Sequence, residues 1–357
     1  MFVTPHKFYL NLFTADAQKF LGRVSFNPDW SPALESTLFG EIRRGHLQTM
    51  PPDAVVEIQP LWHPRSGQPN VNAFRMSVCR EQDVIASSDF EITYFAAAAR
   101  QAATVFTEKK LLKQGELFHY SVTAFNQPAR PAARPRCVAQ VEDAQLITTD
   151  AALESYHRGS LLLGHAQGGD GPVFVHWNVL DEISALTRGA SPSEAGGVLL
   201  GRLLCDRSIP DLFLEVTAQI PAPADSRIDS LGFTPEVWNA VRVQQRRRGL
   251  TDDWVGWWHS HAFYHKVCDH CAKEKQSCEA IEPALSDKDC HLHRIVFPRA
   301  HNVALLVTDA PCMGLSWSLF GWRSGVVANR AFGILNAPLS AAVVRPAANL
   351  EGVSHAA

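Results

Sequence analysis

The chain has 357 residues, of which 46% are hydrophobic, so it is long enough and apolar enough for two folded domains. Its 33 basic and 36 acidic residues nearly balance to a net charge of −3, which argues against a nucleic-acid partner. No apolar stretch approaches the length of a membrane span. Lys7 and Asn11 interrupt the hydrophobic residues of the first segment, which makes it a poor signal peptide. We therefore expect a cytoplasmic protein with no membrane partner.

Residues 1–127 are predicted to form an N-terminal α+β domain. A helix is expected from Tyr94 to Lys113. Short β-rich runs predict strands at Lys7 to Phe13, Val55 to Gln59, Ala73 to Cys79 and Phe118 to Ala124. The histidines of this domain are scattered, and its sequence has no nucleophile motif, phosphate-binding loop or ligand cluster. A binding or scaffold module is therefore favoured over a second enzyme.

A proline- and arginine-rich linker, residues 128–136, is expected to separate this domain from a second one at residues 137–335. The core of the second domain is expected at about residues 172–325. Residues 336–357 are rich in alanine and small polar residues and are expected to form a loosely ordered tail.

Two helices are predicted in the second domain. The first, Val179 to Thr187, follows a predicted strand at Val173 to Trp177. Its apolar residues fall on one side and can pack against a sheet: Val179, Leu180, Ile183 and Leu186. The second, Pro235 to Arg248, ends in three arginines, which indicate a solvated helix end rather than a nucleic-acid site.

The most informative motif is His259-Ser260-His261, which follows an apolar run at Val255 to Trp258. Residues two apart on a strand point to the same face, so both imidazoles can reach one metal ion. By itself such a pair is more often a chance or surface feature than a metal site.

A possible third ligand lies downstream in Ser286-Asp287-Lys288-Asp289. Ser286 and Asp289 are three residues apart, so one helical turn places both on the same side. Two imidazoles and one carboxylate hold zinc at three corners of a tetrahedron and leave the fourth to water, which is the catalytic arrangement. Taken alone, Asp289 could be a solvated charge or a capping residue, and Ser286 could simply cap the helix that carries Asp289.

Glu194 is the candidate proton acceptor. It precedes an apolar, glycine-flanked run, Ala195 to Gly201, that is typical of a buried strand. A carboxylate at the mouth of that strand could take a proton from water at the metal. Alone it could be a helix-end carboxylate, but together with His259, His261 and Asp289 it indicates an active site.

Half of the eight cysteines are spaced C-x2-C-x6-C-x11-C, at Cys268, Cys271, Cys278 and Cys290. Thiolates at Cys-x-x-Cys spacing bind zinc tetrahedrally, so we expect a second, structural zinc. Histidine could replace one cysteine, because four lie nearby: His265, His270, His291 and His293. The alternative is a set of reduced thiols in a flexible loop.

Glu194, His259-Ser260-His261 and Ser286-x-x-Asp289, in this order, resemble the signature of the JAMM (MPN-plus) zinc metalloproteases. The glycine pattern after Glu194, the Val-Gly-Trp lead into His259 and a predicted strand at Val303 to Thr308 are also similar. The resemblance covers residues 172–325. It implies an α-β-α MPN catalytic domain, of the cytidine deaminase-like kind, with a zinc-binding insertion, beside the N-terminal α+β domain.

The resemblance also implies a deubiquitinase-like isopeptidase that removes a ubiquitin-like protein from its conjugates or trims its C-terminal extension. His259, His261 and Asp289 would be the zinc ligands, Glu194 the general acid/base, and Ser286 a hydrogen-bond donor to the oxyanion. The implied partners are a ubiquitin-like protein or its conjugates and E1/E2-like enzymes of the same pathway. We expect the N-terminal domain to dock the ubiquitin-like protein or a partner enzyme.

The chain departs from the family pattern at two places. Ala262 stands where the family usually has proline, and 27 residues (262–288) separate His261 from Asp289. The long spacing predicts an insertion at about residues 264–283 beside the cleft, similar to the zinc-ordered insertion of the AMSH-type branch but with a different ligand pattern.

Three other functions stay open. They are a JAMM peptidase that processes sulfur-carrier proteins, an MPN scaffold that has lost its metal, and a zinc-finger adaptor built on the cysteines.

Overall fold

The computed structural model describes residues 2–48, 53–81, 83–127, 146–190, 193–209, 211–222, 235–248, 252–261, 284–310 and 314–338. These residues fall into two compact units. The first is drawn from Met1–Gln145 with Ser324–Val326, and the second from Leu146–Arg323 with Val327–Ala357. The predicted linker (128–136), the predicted insertion (264–283) and residues 339–357 of the predicted tail lie outside the described residues.

The first unit contains a seven-stranded sheet and two helices among its described residues. Its elements in chain order are β1 (Phe2–Val3), β2 (His6–Thr14), β3 (Phe20–Ser25), α1 (Ser31–Arg43), β4 (Val55–Trp62), β5 (Asn70–Arg80), β6 (Asp83–Glu91), α2 (Ala96–Glu108) and β7 (Phe118–Asn126). The strand order is β1-β4-β5-β7-β2-β3, with β6 beside β5. The core is formed by alternate apolar residues of the strands with the buried sides of the two helices.

The predicted helix from Tyr94 to Lys113 differs from the structure at both ends. A 3-10 turn, Ile92–Phe95, precedes α2, and α2 ends at Glu108. Tyr94 packs its ring edge-on to Phe74 with centroids 5.0 Å apart, and Phe95 is buried in the same aromatic cluster. These rings are therefore held by packing against the sheet before the regular helix begins.

The second unit is organised around a ten-stranded sheet in its described residues. Its elements are β8 (Thr148–Asp150), α3 (Leu153–Arg158), β9 (Ser160–Leu163), β10 (Val173–His176), α4 (Trp177–Ala190), β11 (Gly196–Asp206), β12 (Asp211–Pro221), α5 (Pro235–Arg248), β13 (Asp253–His261), α6 (Asp287–Val296), β14 (Val303–Ala310), β15 (Gly314–Arg323), β16 (Val326–Arg330) and β17 (Phe332–Leu335). The strand order is β16-β15-β14-β13-β11-β12-β10-β17-β9, with β8 beside β11. In the middle of the sheet, β13 is antiparallel to β11 and parallel to β14.

Helices cover both faces of this sheet. On one face α4 buries Val179, Leu180 and Ile183 against strand residues that include Trp258, which confirms the predicted apolar side of that helix. On the other face α3, α5 and α6 each pack on separate apolar clusters. Trp257 belongs to the second face, so consecutive tryptophans of β13 point to opposite sides of the sheet. No helix in the described ranges combines the length and apolar character needed to cross a membrane.

Close approach of neighbouring strands explains the glycines in the central strands. A Cβ on Gly256 of β13 would lie 2.0 Å from the Val303 carbonyl oxygen of β14. A Cβ on Gly201 of β11 would lie 2.1 Å from the Glu215 carbonyl oxygen of β12. Glycine is required at these positions because any side chain would push the paired strands apart.

Candidate metal centre

Strand β13 brings two imidazoles together at its C-terminal end. The side chains of His259 and His261 point to the same face, as the two-residue spacing predicts, and their Nε2 atoms are 3.0 Å apart. His259 is only 3% exposed and His261 is partly buried. The strand is held on both sides, since His259 is paired with Gly196 of β11 and with Leu306 of β14.

Helix α6 brings the carboxylate of Asp289 to the same place. Ser286 is the N-cap residue: its hydroxyl accepts a hydrogen bond from the Asp289 N–H at 3.2 Å. In return the Asp289 Oδ2 accepts from the Ser286 N–H at 2.8 Å, which completes a capping box. The same Oδ2 lies 3.7 Å from Nε2 of His259. The first turn of α6 therefore fixes the carboxylate that faces the histidines, and the helix dipole favours its negative charge.

The donor set fits a zinc ion. One ligand atom from each of His259, His261 and Asp289 can be chosen so that all three lie within 4.8 Å of one another. At ligand distances of about 2.0–2.1 Å, neighbouring ligands of tetrahedral zinc lie about 3.3 Å apart. Two of the three separations, 3.0 Å between the two imidazoles and 3.7 Å between His259 and Asp289, lie on either side of that value. Two imidazoles and one carboxylate leave a fourth corner open, which is typical of catalytic zinc.

The electrostatics keep both imidazoles in the form that binds a metal. Burial lowers the pKa of His259 to about 4, with Asp289 opposing that shift and His261 adding to it. Burial also lowers the pKa of His261, again opposed by Asp289. Both rings are therefore neutral at pH 7, and no proton has to be removed from either of them before a cation binds.

Glu194 lies directly before β11 and is partly buried. The next residue, Ala195, exchanges two hydrogen bonds with Ser260: the Ser260 N–H donates to the Ala195 carbonyl at 2.8 Å, and the Ala195 N–H donates to the Ser260 hydroxyl at 2.9 Å. Gly196 is the register partner of His259. If this antiparallel register continued two residues beyond the start of β11, Glu194 would lie opposite His261, on the histidine side of the sheet.

Ser286 has the capping role that the sequence left open as an alternative. Its side chain is exposed, and its hydroxyl oxygen accepts from the Asp289 N–H. A serine hydroxyl has one proton to donate besides its two lone pairs. The cap therefore uses the oxygen and leaves the hydroxyl proton for a second acceptor.

The second zinc site is described only in part. Cys268, Cys271 and Cys278 lie outside the described residues, as do His265 and His270. Cys290 follows Asp289 on α6 and is partly buried, and its N–H donates to the Ser286 carbonyl at 2.9 Å. His291 is exposed. The second zinc stays a prediction.

His293 lies in the core rather than on the surface. It is 0% exposed, and its Nδ1 accepts a hydrogen bond from Nε1 of Trp257 at 3.1 Å. Trp257 in turn stacks on His259. The roles of Trp257, Ser260 and His293 are not indicated by any motif in the sequence. Spacing indicates that Trp257, two residues before His259, shares its face of β13, and that His293, four residues after Asp289, shares its side of α6; it does not indicate that the two side chains meet.

Comparison with known proteins adds little to this geometry. The chain matches no protein-family model and no curated protein. Among solved structures it is similar to the solution structure of protein DSY2949 from Desulfitobacterium hafniense. The two are 19% identical, the match covers 47% of this chain and 96% of the other, and the TM-score is 0.33. That likeness is too low to carry an argument about fold or function.

Proposed function

We propose that this protein is a zinc-dependent, JAMM-type isopeptidase or peptidase that removes ubiquitin-like proteins from conjugates or trims their C-terminal extensions. The observation that supports the proposal is the convergence of His259, His261 and Asp289, which are up to 30 positions apart in the chain, to within 4.8 Å. The cytoplasmic location and the E1/E2-like pathway partners belong to the same proposal.

Each residue of the site has a chemical role in this proposal. His259, His261 and Asp289 would hold the zinc ion. When bound by such ligands, zinc lowers the pKa of water toward about 7 and polarises a carbonyl oxygen. Glu194 would accept the proton of the attacking water and then deliver it to the amine of the leaving lysine. The Ser286 hydroxyl would donate to the oxygen on which negative charge develops.

The proposed substrate class follows from the resemblance of the sequence motifs to the JAMM signature, and a cleavage assay tests it. The full-length protein is incubated with a ubiquitin-like protein fused through its C-terminus to a reporter, and in parallel with a sulfur-carrier protein that bears a C-terminal extension. Cleavage of the first substrate supports deconjugation. Cleavage of the second substrate alone would assign the protein to sulfur-carrier processing.

Two variants separate catalysis from metal binding. Glu194→Gln is expected to keep its zinc, measured by elemental analysis, and to lose substrate cleavage. Its matched control is Glu154→Gln, which removes an exposed carboxylate paired with Arg158 and should cleave the substrate normally. His259→Ala is expected to lose both zinc and cleavage. Hydrolysis that survives His259→Ala would rule out this site as the active centre, and a single zinc retained without any hydrolysis would favour the adaptor.

A further inference from the structure

We infer that Trp257 and His293 are positioning residues that hold the His259 imidazole in the orientation a metal ion requires. The inference rests on the proposed metal function and goes beyond it, because neither residue offers an atom to the metal. In this inference α6 supports the metal site in two ways: it carries Asp289, and through His293 it holds Trp257.

The first contact is a parallel ring stack. The centroids of Trp257 and His259 are 4.8 Å apart, and their planes differ by 11°. The two residues are alternate residues of β13, so their side chains lie side by side on the same face of the sheet. Trp257 is 0% exposed and His259 is 3% exposed, so water does not compete for either ring. The indole plane therefore restricts rotation of the imidazole.

The second contact fixes the indole. Nε1 of Trp257 donates to Nδ1 of His293 at 3.1 Å, which requires the neutral His293 to carry its proton on Nε2. That Nε2 is buried and has no hydrogen-bond partner among the described residues. A buried donor without a partner costs free energy, so an apolar side chain would suit this position better if it only filled space. What histidine adds here is an acceptor for the indole N–H.

The stack takes the place of a contact that metal sites usually have. A histidine ligand generally donates its second ring N–H to a carboxylate or carbonyl, which fixes the ring. Nδ1 of His259 is buried and has no such partner in the described part of the chain. Helix α6 supplies the support instead: one turn of this helix separates Asp289, which faces His259, from His293, which holds Trp257.

Trp258 provides a matched control within the same strand. It is also 0% exposed, and its Nε1 donates a comparable hydrogen bond to Oε1 of Gln219 at 3.2 Å. It packs on the opposite face of the sheet, in the cluster with α4. Replacing Trp258 therefore removes the same volume and the same kind of hydrogen bond without touching the His259 stack.

The experiment compares Trp257→Leu and His293→Phe with Trp258→Leu in the full-length protein. Zinc affinity is measured by competition with a chelator, with zinc alone as the probe. Trp257→Leu and His293→Phe are each expected to weaken zinc binding ~10-fold, as loss of an outer-shell contact usually does, whereas Trp258→Leu should stay within ~2-fold of the wild type. Equal affinities of Trp257→Leu and Trp258→Leu would overturn the inference.

If Trp257→Leu or His293→Phe fails to fold, more conservative variants can replace it in the zinc-affinity comparison. Trp257→Phe retains an aromatic ring for the stack but cannot donate to His293, and His293→Gln retains an acceptor for the indole. His293→Gln should bind zinc more tightly than His293→Phe, and Trp257→Phe combined with His293→Phe should be no weaker than either alone. Additive losses in that pair would show that the two residues do not act through one hydrogen bond.

A readout without metal separates this inference from the proposed function. In metal-free protein, the ring resonances of His259 are followed by nitrogen-15 NMR. A single ring orientation in the wild type and in Trp258→Leu, with exchange broadening in Trp257→Leu, supports the inference. If the wild type binds no zinc, the proposed function fails, and these spectra still decide the positioning role: identical spectra for the two leucine variants would reject it.

Discussion

Ser260 and Ala195 are joined by two hydrogen bonds that use both the backbone and the side chain of the serine. The Ser260 N–H donates to the Ala195 carbonyl at 2.8 Å, and the Ala195 N–H donates to the Ser260 hydroxyl at 2.9 Å. Ser260 separates the two candidate metal ligands, and Ala195 follows Glu194. The middle residue of the His-x-His motif therefore fixes the end of β13 to the segment that carries the candidate acid/base.

Ser260→Ala should damage the site through this link. Ser260 is 0% exposed, so the variant leaves the Ala195 N–H without its acceptor in the protein interior, which we expect to cost about 1–3 kcal/mol of unfolding free energy. We expect zinc to be retained, because both ring ligands remain, and substrate cleavage to fall at least ~10-fold as Glu194 loses its fixed position.

The matched control for this variant is Ser184→Ala. Ser184 is buried in α4 and donates its hydroxyl proton to the Leu180 carbonyl, so Ser184→Ala loses a comparable hydrogen bond without touching the link between Ser260 and Ala195. Urea unfolding and kcat/KM are measured for both proteins. If Ser184→Ala loses as much kcat/KM as Ser260→Ala, the loss reflects general stability and not the link to Glu194.

Ser286→Ala tests the capping box. Removing the hydroxyl takes away the acceptor of the Asp289 N–H, and loss of such an N-cap costs about 1 kcal/mol. Zinc affinity should fall as well, because the first turn of α6 orients the Asp289 carboxylate. Ser286→Thr keeps a hydroxyl at the cap and should restore both stability, measured by urea unfolding, and zinc affinity. Equal zinc affinity in Ser286→Ala and the wild type would show that Asp289 does not depend on the cap.

Short spacings predict only two pairs of the metal site, His259 with His261 and Ser286 with Asp289. The approach of Asp289 to His259, 30 positions away in the chain, was expected only from the family resemblance. Two residues on a strand and three residues on a helix place side chains on one side whatever the rest of the protein does. The contacts of Trp257 and His293 could not be predicted in this way, because they join a strand to a helix 36 residues away in the chain. Single-sequence periodicity carries no information on such a pair.

For the fold as well, elements with a regular local pattern could be predicted, and elements that depend on distant packing could not. Strands with a clear alternation, such as His6–Thr14, and the helix Pro235–Arg248 appear where the pattern indicates them. The sequence does not predict strand Phe20–Ser25, because this segment contains Gly22 and has only a weak apolar alternation. The structure gives the reason for that glycine: a Cβ there would lie 2.7 Å from the ring of Phe106 in α2. Gly22 is therefore required by packing against a helix that is distant in the chain, whereas in the sequence alone a glycine argues against a strand.

Gly256→Ala should be strongly destabilising although the change is a single methyl group. The new Cβ would lie 2.0 Å from the Val303 carbonyl oxygen, which belongs to backbone and cannot rotate away. Forcing β13 away from β14 should cost about 1–3 kcal/mol or more, and it should weaken zinc binding because His259 lies three residues further along the strand. Thermal unfolding and chelator competition measure the two effects.

Gly189→Ala is the control for this glycine variant. A Cβ at Gly189 in α4 would meet no heavy atom within 4 Å, so alanine should leave stability unchanged or raise it by about 0.4–1 kcal/mol. A Gly256→Ala protein as stable as Gly189→Ala would contradict the close approach of β13 and β14.

His293 should make the folded protein sensitive to acid. Burial lowers the pKa of its imidazole to about 3, whereas the unfolded chain titrates near 6.5. Between these pH values the unfolded state binds more protons than the native state. The part of the unfolding free energy that depends on the neutral His293 imidazole is therefore fully present above about pH 6.5 and is lost as the pH falls toward 3. The unfolding free energy then falls by up to about 1.4 kcal/mol for each unit of pH, which amounts to a loss of about 2 kcal/mol between pH 7.5 and pH 5.

His293→Gln removes this proton linkage and keeps an acceptor for Trp257. The free energy of unfolding of wild type and variant is measured by urea titration at several pH values in the presence of a chelator, so that metal binding does not contribute. The other buried histidines, His259 and His301, titrate in both proteins and cancel in the difference. The variant should gain stability relative to the wild type as the solution is acidified, while His291→Gln, at an exposed position of the same helix, should follow the wild-type curve. Parallel curves for wild type and His293→Gln would mean that the His293 imidazole is protonated as easily in the folded protein as in the unfolded chain, and therefore that it does not lie in the dry contact with Trp257.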